Sequence, residues 1–164
     1  MQFAFTTLVP RNAEFSHSMV IESMPHGWWY AAPVPKGHVL AFFTDADLPR
    51  PQLPRTMRTA VANSAFTPAR NGEGWLPVGD AFAAHDPLCG WGVFRALTNG
   101  LRAADAIAAF LKGADEAPLE NYFEFCREQF THYLKGLSKH YSYEQRWPNS
   151  LFWQRRANLT TSPA

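Results

Sequence analysis

Short runs of apolar and β-favouring residues alternate with turn residues over the first third of the chain. The runs are Gln2–Val9, Met19–Ser23, Trp28–Ala32 and His38–Phe43. The tripeptides Pro-His-Gly and Pro-Lys-Gly separate the last three runs, and turn residues between extended runs are typical of hairpins. This pattern predicts an antiparallel meander rather than a helix bundle.

Beyond Gly92 the apolar period changes to that of a helix. The residues that share one face are Val93, Leu97, Leu101, Ala104, Ala108 and Leu111. Lys112 and Gly113 supply a stop. A longer helix is predicted to begin near Pro118, which suits a first helical position, and to end before Pro148. Its apolar stripe, most simply a core face, comprises Tyr122, Cys126, Phe130, Tyr133, Leu137 and Tyr141.

These patterns predict an α+β chain in three segments. Residues 1–60 form the antiparallel sheet, residues 61–113 a strand, a loop and a helix, and residues 114–164 a C-terminal helical region. A polar loop is expected over Pro68–Gly74, immediately before the predicted strand Trp75–Val78. The chain would thus end in its longest helix.

Composition narrows the class of protein. The chain has 164 residues, a formal net charge of +1 and Lys and Arg side chains that are scattered rather than clustered, so no nucleic-acid partner is expected. The apolar start at Phe3–Phe5 is too short for a signal peptide or a membrane span. Cys89 and Cys126 have no metal-type spacing and favour reduced thiols. We expect a cytoplasmic protein.

The residues between Trp75 and Val93 carry the candidate chemistry. Gly79 permits a sharp turn or a close approach to a ligand, and Asp80 can accept hydrogen bonds from ligand hydroxyls. Gly90 and Gly92 clear side chains from a helix N-terminus, whose free N–H groups and positive dipole end suit an electron-rich ligand. An ordinary strand–loop–helix connection would show the same spacing, so both interpretations stay open on spacing alone.

The same stretch resembles the second FAD fingerprint of flavoprotein monooxygenases and flavin-dependent halogenases. The resemblance rests on Gly79-Asp80-Ala81, Asp86-Pro87-Leu88, Gly90, Gly92, Ala96-Leu97 and Gly100-Leu101-Arg102-Ala103-Ala104. It extends to Gly27–Pro33, which is similar to the tryptophan-containing strand of halogenase-like proteins. Two further segments, Tyr143–Pro148 and Phe152–Arg156, resemble the tail of a bacterial halogenase-like branch, some members of which mature quinone-cofactor amino-acid oxidases.

The resemblance implies specific roles. Asp80 would contact the ribityl chain of FAD, and Gly79 would shape the backbone turn that carries Asp80. The isoalloxazine ring would lie beside the backbone of Pro87, Gly90, Trp91, Gly92 and Val93. Trp28, Tyr30 and His85 become candidates for the substrate side. The sheet would belong to a substrate-side domain, and residues 61–113 would complete an α/β, Rossmann-like FAD-binding domain.

The 164 residues contain no G-x-G-x-x-G, so the pyrophosphate-binding turn of a dinucleotide site is missing from the sequence. We therefore expect the C-terminal portion of a FAD-dependent oxidoreductase with an incomplete FAD site, active only beside an ADP-binding half. The alternative is a non-catalytic remnant or interaction module that packs against a partner or self-associates. No catalytic residue is assigned, and the histidine spacing predicts no metal site.

Overall fold

Antiparallel pairing organises the first part of the chain in the computed structural model, which describes residues 1–11, 17–67, 74–113 and 115–159. Five strands form a sheet in the order β2-β3-β4-β1-β5. Their bounds are β1 Gln2–Val9, β2 Val20–Met24, β3 Gly27–Val34, β4 Gly37–Asp45 and β5 Arg58–Val61. The predicted meander is confirmed in β2-β3-β4.

The register of the sheet explains the glycine before the tryptophan pair. Gly27 pairs with Thr44, and a Cβ at Gly27 would lie 2.1 Å from the carbonyl oxygen of Phe43. Only glycine allows this backbone approach. The next pair in the register, Trp28 with Phe43, stacks with ring centroids 4.0 Å apart.

Three helices follow the sheet strands. They are α1 Gly92–Leu111, α2 Ala117–Ser142 and α3 Leu151–Ala157. The predicted stop of α1 is confirmed, because Gly113 has φ 89° and its N–H donates to the carbonyl oxygen of Phe110. None of the described helices combines the length and the apolar character that a membrane span needs.

The apolar stripes of the two long helices, α1 and α2, differ in solvent exposure. All six stripe residues predicted for α2 are buried. The stripe of α1 is exposed instead: Val93, Leu97, Leu101 and Leu111 are 65–77% exposed, and the buried residues of α1 are Asn99, Ala103 and Ala106. The periodicity therefore predicted α1 correctly but marks the face that the described part of the chain leaves uncovered.

The predicted strand Trp75–Val78 is wrong. Residues 76–78 belong to no strand, and Trp75 forms a single bridge. Pro77 has no N–H to donate to a ladder, which opposes a strand at this position. The neighbouring short strands are β6 Ala65–Phe66 and β7 Ala83–Ala84, which pair antiparallel, while residues 68–73 of the predicted polar loop lie outside the described residues.

The chain forms two compact units. The first contains Met1–Asn63 with Ser138–Asn158, and the second contains Ser64–Leu137 with Leu159. The first unit thus includes the five-stranded sheet, the last residues of α2, and α3. The second includes β6, β7, α1 and most of α2.

Within the first unit, α3 is fixed to the sheet strands by polar contacts. Trp153 Nε1 donates to the carbonyl oxygen of Met24 at 2.9 Å, and Arg156 forms an ion pair with Asp45. Ser150 caps α3 by accepting from the Phe152 N–H. The aromatic core of this unit consists of Phe5, Trp28, Phe42, Phe43, Tyr141, Phe152 and Trp153.

Candidate functional site

A left-handed glycine begins the candidate site. Gly79 has φ 61° and starts a 3₁₀ turn, Gly79–Ala81, which closes with a 3.0 Å hydrogen bond from the Phe82 N–H to the Gly79 carbonyl oxygen. The turn lies against α1, because a Cβ at Gly79 would lie 3.3 Å from the Cβ of Ala96. The side chain of Asp80 is exposed, so its carboxylate is accessible to a ligand.

A buried aspartate shapes the loop that follows. Asp86 is 2% exposed, and its Oδ1 accepts from the Leu88 N–H at 2.9 Å, which caps the 3₁₀ turn Pro87–Cys89. Gly90 ends this turn with φ 64° and donates its N–H to the Pro87 carbonyl oxygen. The loop is therefore an ordered turn with a capped start.

The N-terminus of α1 is open. Its N-cap residue, Trp91, makes no side-chain capping hydrogen bond. A Cβ added at Gly90 or Gly92 would meet no atom within 4 Å. The first N–H groups of a helix carry the positive end of its dipole, so this surface favours an electron-rich ligand.

The imidazole of His85 lies in the same unit, edge-on to the rings of Tyr133 and Phe130 at centroid distances of 4.6 and 5.8 Å. Burial and then the positive charge of Arg95 lower the pKa of His85 to about 4, against a smaller opposing effect of Asp80. His85 is therefore neutral at neutral pH. The Gly79–Asp80 turn, His85 and the first turns of α1 are thus brought together.

Two tyrosines of α2, which the sequence indicated most simply as core residues, with a substrate channel as the alternative, make polar contacts with this segment. The Tyr122 hydroxyl donates to the Pro77 carbonyl oxygen at 3.0 Å, and the Tyr133 hydroxyl accepts from the Asp86 N–H at 2.6 Å. The helical stripe could have shown their burial but not their partners. Both partners lie more than 40 residues away along the chain.

The other substrate-side candidates, Trp28 and Tyr30, lie in the first unit, whereas the loop residues and His85 lie in the second. Trp28 is 1% exposed, and its Nε1 donates to the Tyr141 hydroxyl at 3.2 Å, so it is a core residue of its unit. Tyr30 is half-buried on β3. Their role toward a substrate stays a prediction.

Cys89 and Cys126 are free thiols. Burial raises the pKa of the Cys126 thiol. Within the described ranges, no group of three or more His, Cys, Asp or Glu side chains could hold a metal ion.

The fold matches part of the fold of solved flavin-dependent halogenases and of a peptidyl tryptophan dihydroxylase. A peptidyl tryptophan dihydroxylase, QhpG, essential for tryptophylquinone cofactor biogenesis, superposes with a TM-score of 0.80 and 20% identity over 99% of this chain and 44% of its own. The flavin-dependent halogenase CmlS superposes with a TM-score of 0.73 and 20% identity over 98% of this chain and 36% of its own.

Curated relatives agree with this class. The putative FAD-dependent oxidoreductase LodB of Marinomonas mediterranea is 28% identical over 175 aligned positions, which cover 90% of this chain and 46% of that protein. A 1H-pyrrole-2-carbonyl-[peptidyl-carrier protein] brominase of Pseudoalteromonas luteoviolacea is 48% identical over 44 residues, 27% of this chain and 11% of its own. No family model matches.

The comparisons confirm the resemblance predicted from the Gly79-Asp80 motif: the chain is similar to flavin-dependent, halogenase-like oxidoreductases. It spans less than half of the length of the curated relatives it matches.

Proposed function

We propose that this chain contributes the flavin-ring and ribityl side of the FAD site of a halogenase-like or monooxygenase-like oxidoreductase. The observation that carries the proposal is the joint placement of an exposed Asp80, on a turn packed against α1, with the open N-terminus of the same helix. The identity of the cofactor is inferred from the relatives, which are FAD-dependent or flavin-dependent proteins.

The residues fit the chemistry of a flavin. Asp80 offers an exposed carboxylate to ribityl hydroxyls. The space in front of Gly90 and Gly92 would let a planar ring approach the backbone, and the helix N–H groups would suit its electron-rich pyrimidine side. When bound, FAD supplies the redox and oxygen chemistry, and the protein supplies position and electrostatics.

The ADP portion of FAD would be held by a glycine-rich turn that these 164 residues do not contain. Riboflavin and FAD should therefore bind the 164-residue chain with similar, weak affinities in fluorescence titrations. Tight, stoichiometric binding of FAD without equally tight binding of riboflavin would show that the chain binds the ADP portion. That result would contradict the proposal that the chain contributes only the flavin-ring and ribityl side of the site.

The role of Asp80 is tested by Asp80→Ala in the same titration. Loss of a charge-assisted hydrogen bond should weaken flavin binding by about 1.5–3 kcal/mol, roughly tenfold to a hundredfold, with little change in melting temperature. Asp105→Ala is the matched control, because Asp105 is an exposed acid on α1. An unchanged flavin affinity in Asp80→Ala would contradict the assignment of Asp80 as a flavin contact.

A second function, an interaction module, is favoured by one observation, the exposed apolar stripe of α1. A helix with such a face packs against another surface or self-associates. If the chain acts only in this way, Asp80→Ala leaves every binding property unchanged, whereas substitutions on the α1 stripe remove association.

A further inference from the structure

Helix α2 contacts the candidate loop at both ends through tyrosine hydroxyls. Tyr122 reaches Pro77, two residues before Gly79, and Tyr133 reaches Asp86, the residue before Pro87. The Tyr133 hydroxyl is also 2.6 Å from Ser64 Oγ. One tyrosine thus fixes a carbonyl where the Gly79–Asp80 turn begins, and the other fixes an N–H where the Pro87–Gly92 loop begins.

The two tyrosines have a fixed spacing. Eleven residues of α-helix span about 16 Å and return within roughly 20° of the same face. Both side chains are buried, at 4% exposure each. The helix therefore sets one distance between the two segments.

Aromatic contacts fill the interval in the same order. Phe82 contacts the rings of Tyr122 and Phe123 at 6.0 and 5.7 Å, and His85 contacts Phe130 and Tyr133 further along the helix. Residues 77–86 consequently run alongside α2 in the same direction as the helix. A slip of this segment would break the packing and both hydrogen bonds together.

We propose that Tyr122 and Tyr133 are positioning residues, which hold the Gly79–Asp80 turn and the Pro87–Gly92 loop at the separation that one flavin requires. This inference rests on the proposed function. Neither tyrosine needs to touch the flavin, because each acts through the backbone that it fixes: Tyr122 through the turn that carries Asp80, and Tyr133 through the Asp86 cap that orders the path to Gly90.

Amide hydrogen exchange on the 164-residue chain tests the two contacts separately. Tyr133→Phe removes the acceptor of the Asp86 N–H and should speed exchange at Asp86 by about threefold to tenfold, the effect of one lost hydrogen bond, and also at Leu88, Cys89 and Gly90, which lie in the turn that Asp86 caps. Tyr122→Phe should do the same at Phe82, the amide that closes the first turn.

The matched control is Tyr141→Phe. It removes a buried hydroxyl from the same helix, but that hydroxyl accepts from Trp28 Nε1, and both residues belong to the first unit. It should lower the melting temperature comparably and leave the loop amides unchanged. If all three variants alter exchange in the same way, or if the loop amides do not respond, the positioning role is overturned.

Riboflavin titration provides the second readout. Tyr122→Phe and Tyr133→Phe should each weaken riboflavin binding by about threefold to tenfold, and Tyr141→Phe should not. Wild-type chain that binds no riboflavin would overturn the proposed function, whereas the exchange pattern would still decide whether the tyrosines order the loop. If Tyr133→Phe does not fold, Ser64→Ala perturbs the same hydroxyl from outside α2 and should affect the same amides.

Discussion

Asp45 and Arg156 form a two-point ion pair in the interior of the first unit. Arg156 Nη2 donates to Asp45 Oδ1 at 2.7 Å, and Nη1 donates to Oδ2 at 3.2 Å. Both side chains are nearly inaccessible, at 9% and 5% exposure. The pair joins the last residue of β4 to α3, so the C-terminal helix is fixed to the sheet by a buried contact.

Asp45→Asn should therefore destabilise the first unit strongly. The substitution leaves the Arg156 guanidinium buried without a counter-charge, which costs about 3–5 kcal/mol when one partner of a buried pair is removed. Chemical denaturation would measure the loss. Asp47→Asn is the control. Asp47 forms an ion pair with Arg155, which contacts Asp45 as well, but the Asp47 side chain is 57% exposed, so this substitution should change stability little.

The same pair predicts a pH dependence. Burial alone would raise the pKa of Asp45, but the hydrogen bond and charge of Arg156, the hydrogen bond of Arg155 and the charge of the N-terminus together outweigh it and lower the pKa below its ordinary value of 3.8. A lowered folded-state pKa stabilises the protein above pH 3.8, and this stability is lost as the pH falls through the folded-state value. The stability difference between wild type and Asp45→Asn should shrink over that acidic range, and a constant difference would contradict the assignment.

Trp28→Ala should act mainly on stability. Trp28 is stacked on Phe43, and its removal leaves a cavity in the core of the first unit, so a loss of about 3–5 kcal/mol is expected. Near-ultraviolet circular dichroism during denaturation would follow the loss. Trp91→Ala serves as control because Trp91 is 57% exposed, and equal effects of the two substitutions would refute the core assignment.

The exposed stripe of α1 should mediate association. Replacing Leu97 and Leu101, 65% and 70% exposed, with Gln should reduce binding of a hydrophobic dye and any concentration-dependent association. Leu151→Gln is the control, because it makes the same chemical change at another exposed leucine, on α3. A wild-type chain that stays monomeric and binds no dye would show that the α1 stripe does not mediate association.

These cases show what a single sequence could and could not predict. The period of the α2 stripe predicted its buried face, because the residues of a helix that pack against a core recur with the helical period. The same argument cannot distinguish a face covered by the chain from one left open, and α1 has the second kind. Polar contacts such as Tyr133 with Asp86 depend on how distant segments meet, which no local pattern encodes. Pro77 explains the wrong strand, since the apolar run around it suggested pairing that its backbone cannot make.

Gly92→Ala separates a flavin-facing helix start from an ordinary one. Gly92 is the first residue of α1, has no left-handed φ, and would place a Cβ where no atom lies within 4 Å. Alanine is a better helix former than glycine, so stability should stay equal or rise by about 0.5 kcal/mol.

If a flavin approaches the backbone there, the added methyl group occupies part of its space, and riboflavin affinity should fall about tenfold although the fold is intact. Gly136→Ala is the matched control, because Gly136 lies inside α2, also with no atom within 4 Å of an added Cβ, and it should raise stability without changing affinity. Melting temperature and riboflavin dissociation constant measured on the same samples distinguish the outcomes. Unchanged affinity in Gly92→Ala would place the flavin elsewhere, because the open space before α1 would then be solvent and not part of the binding site.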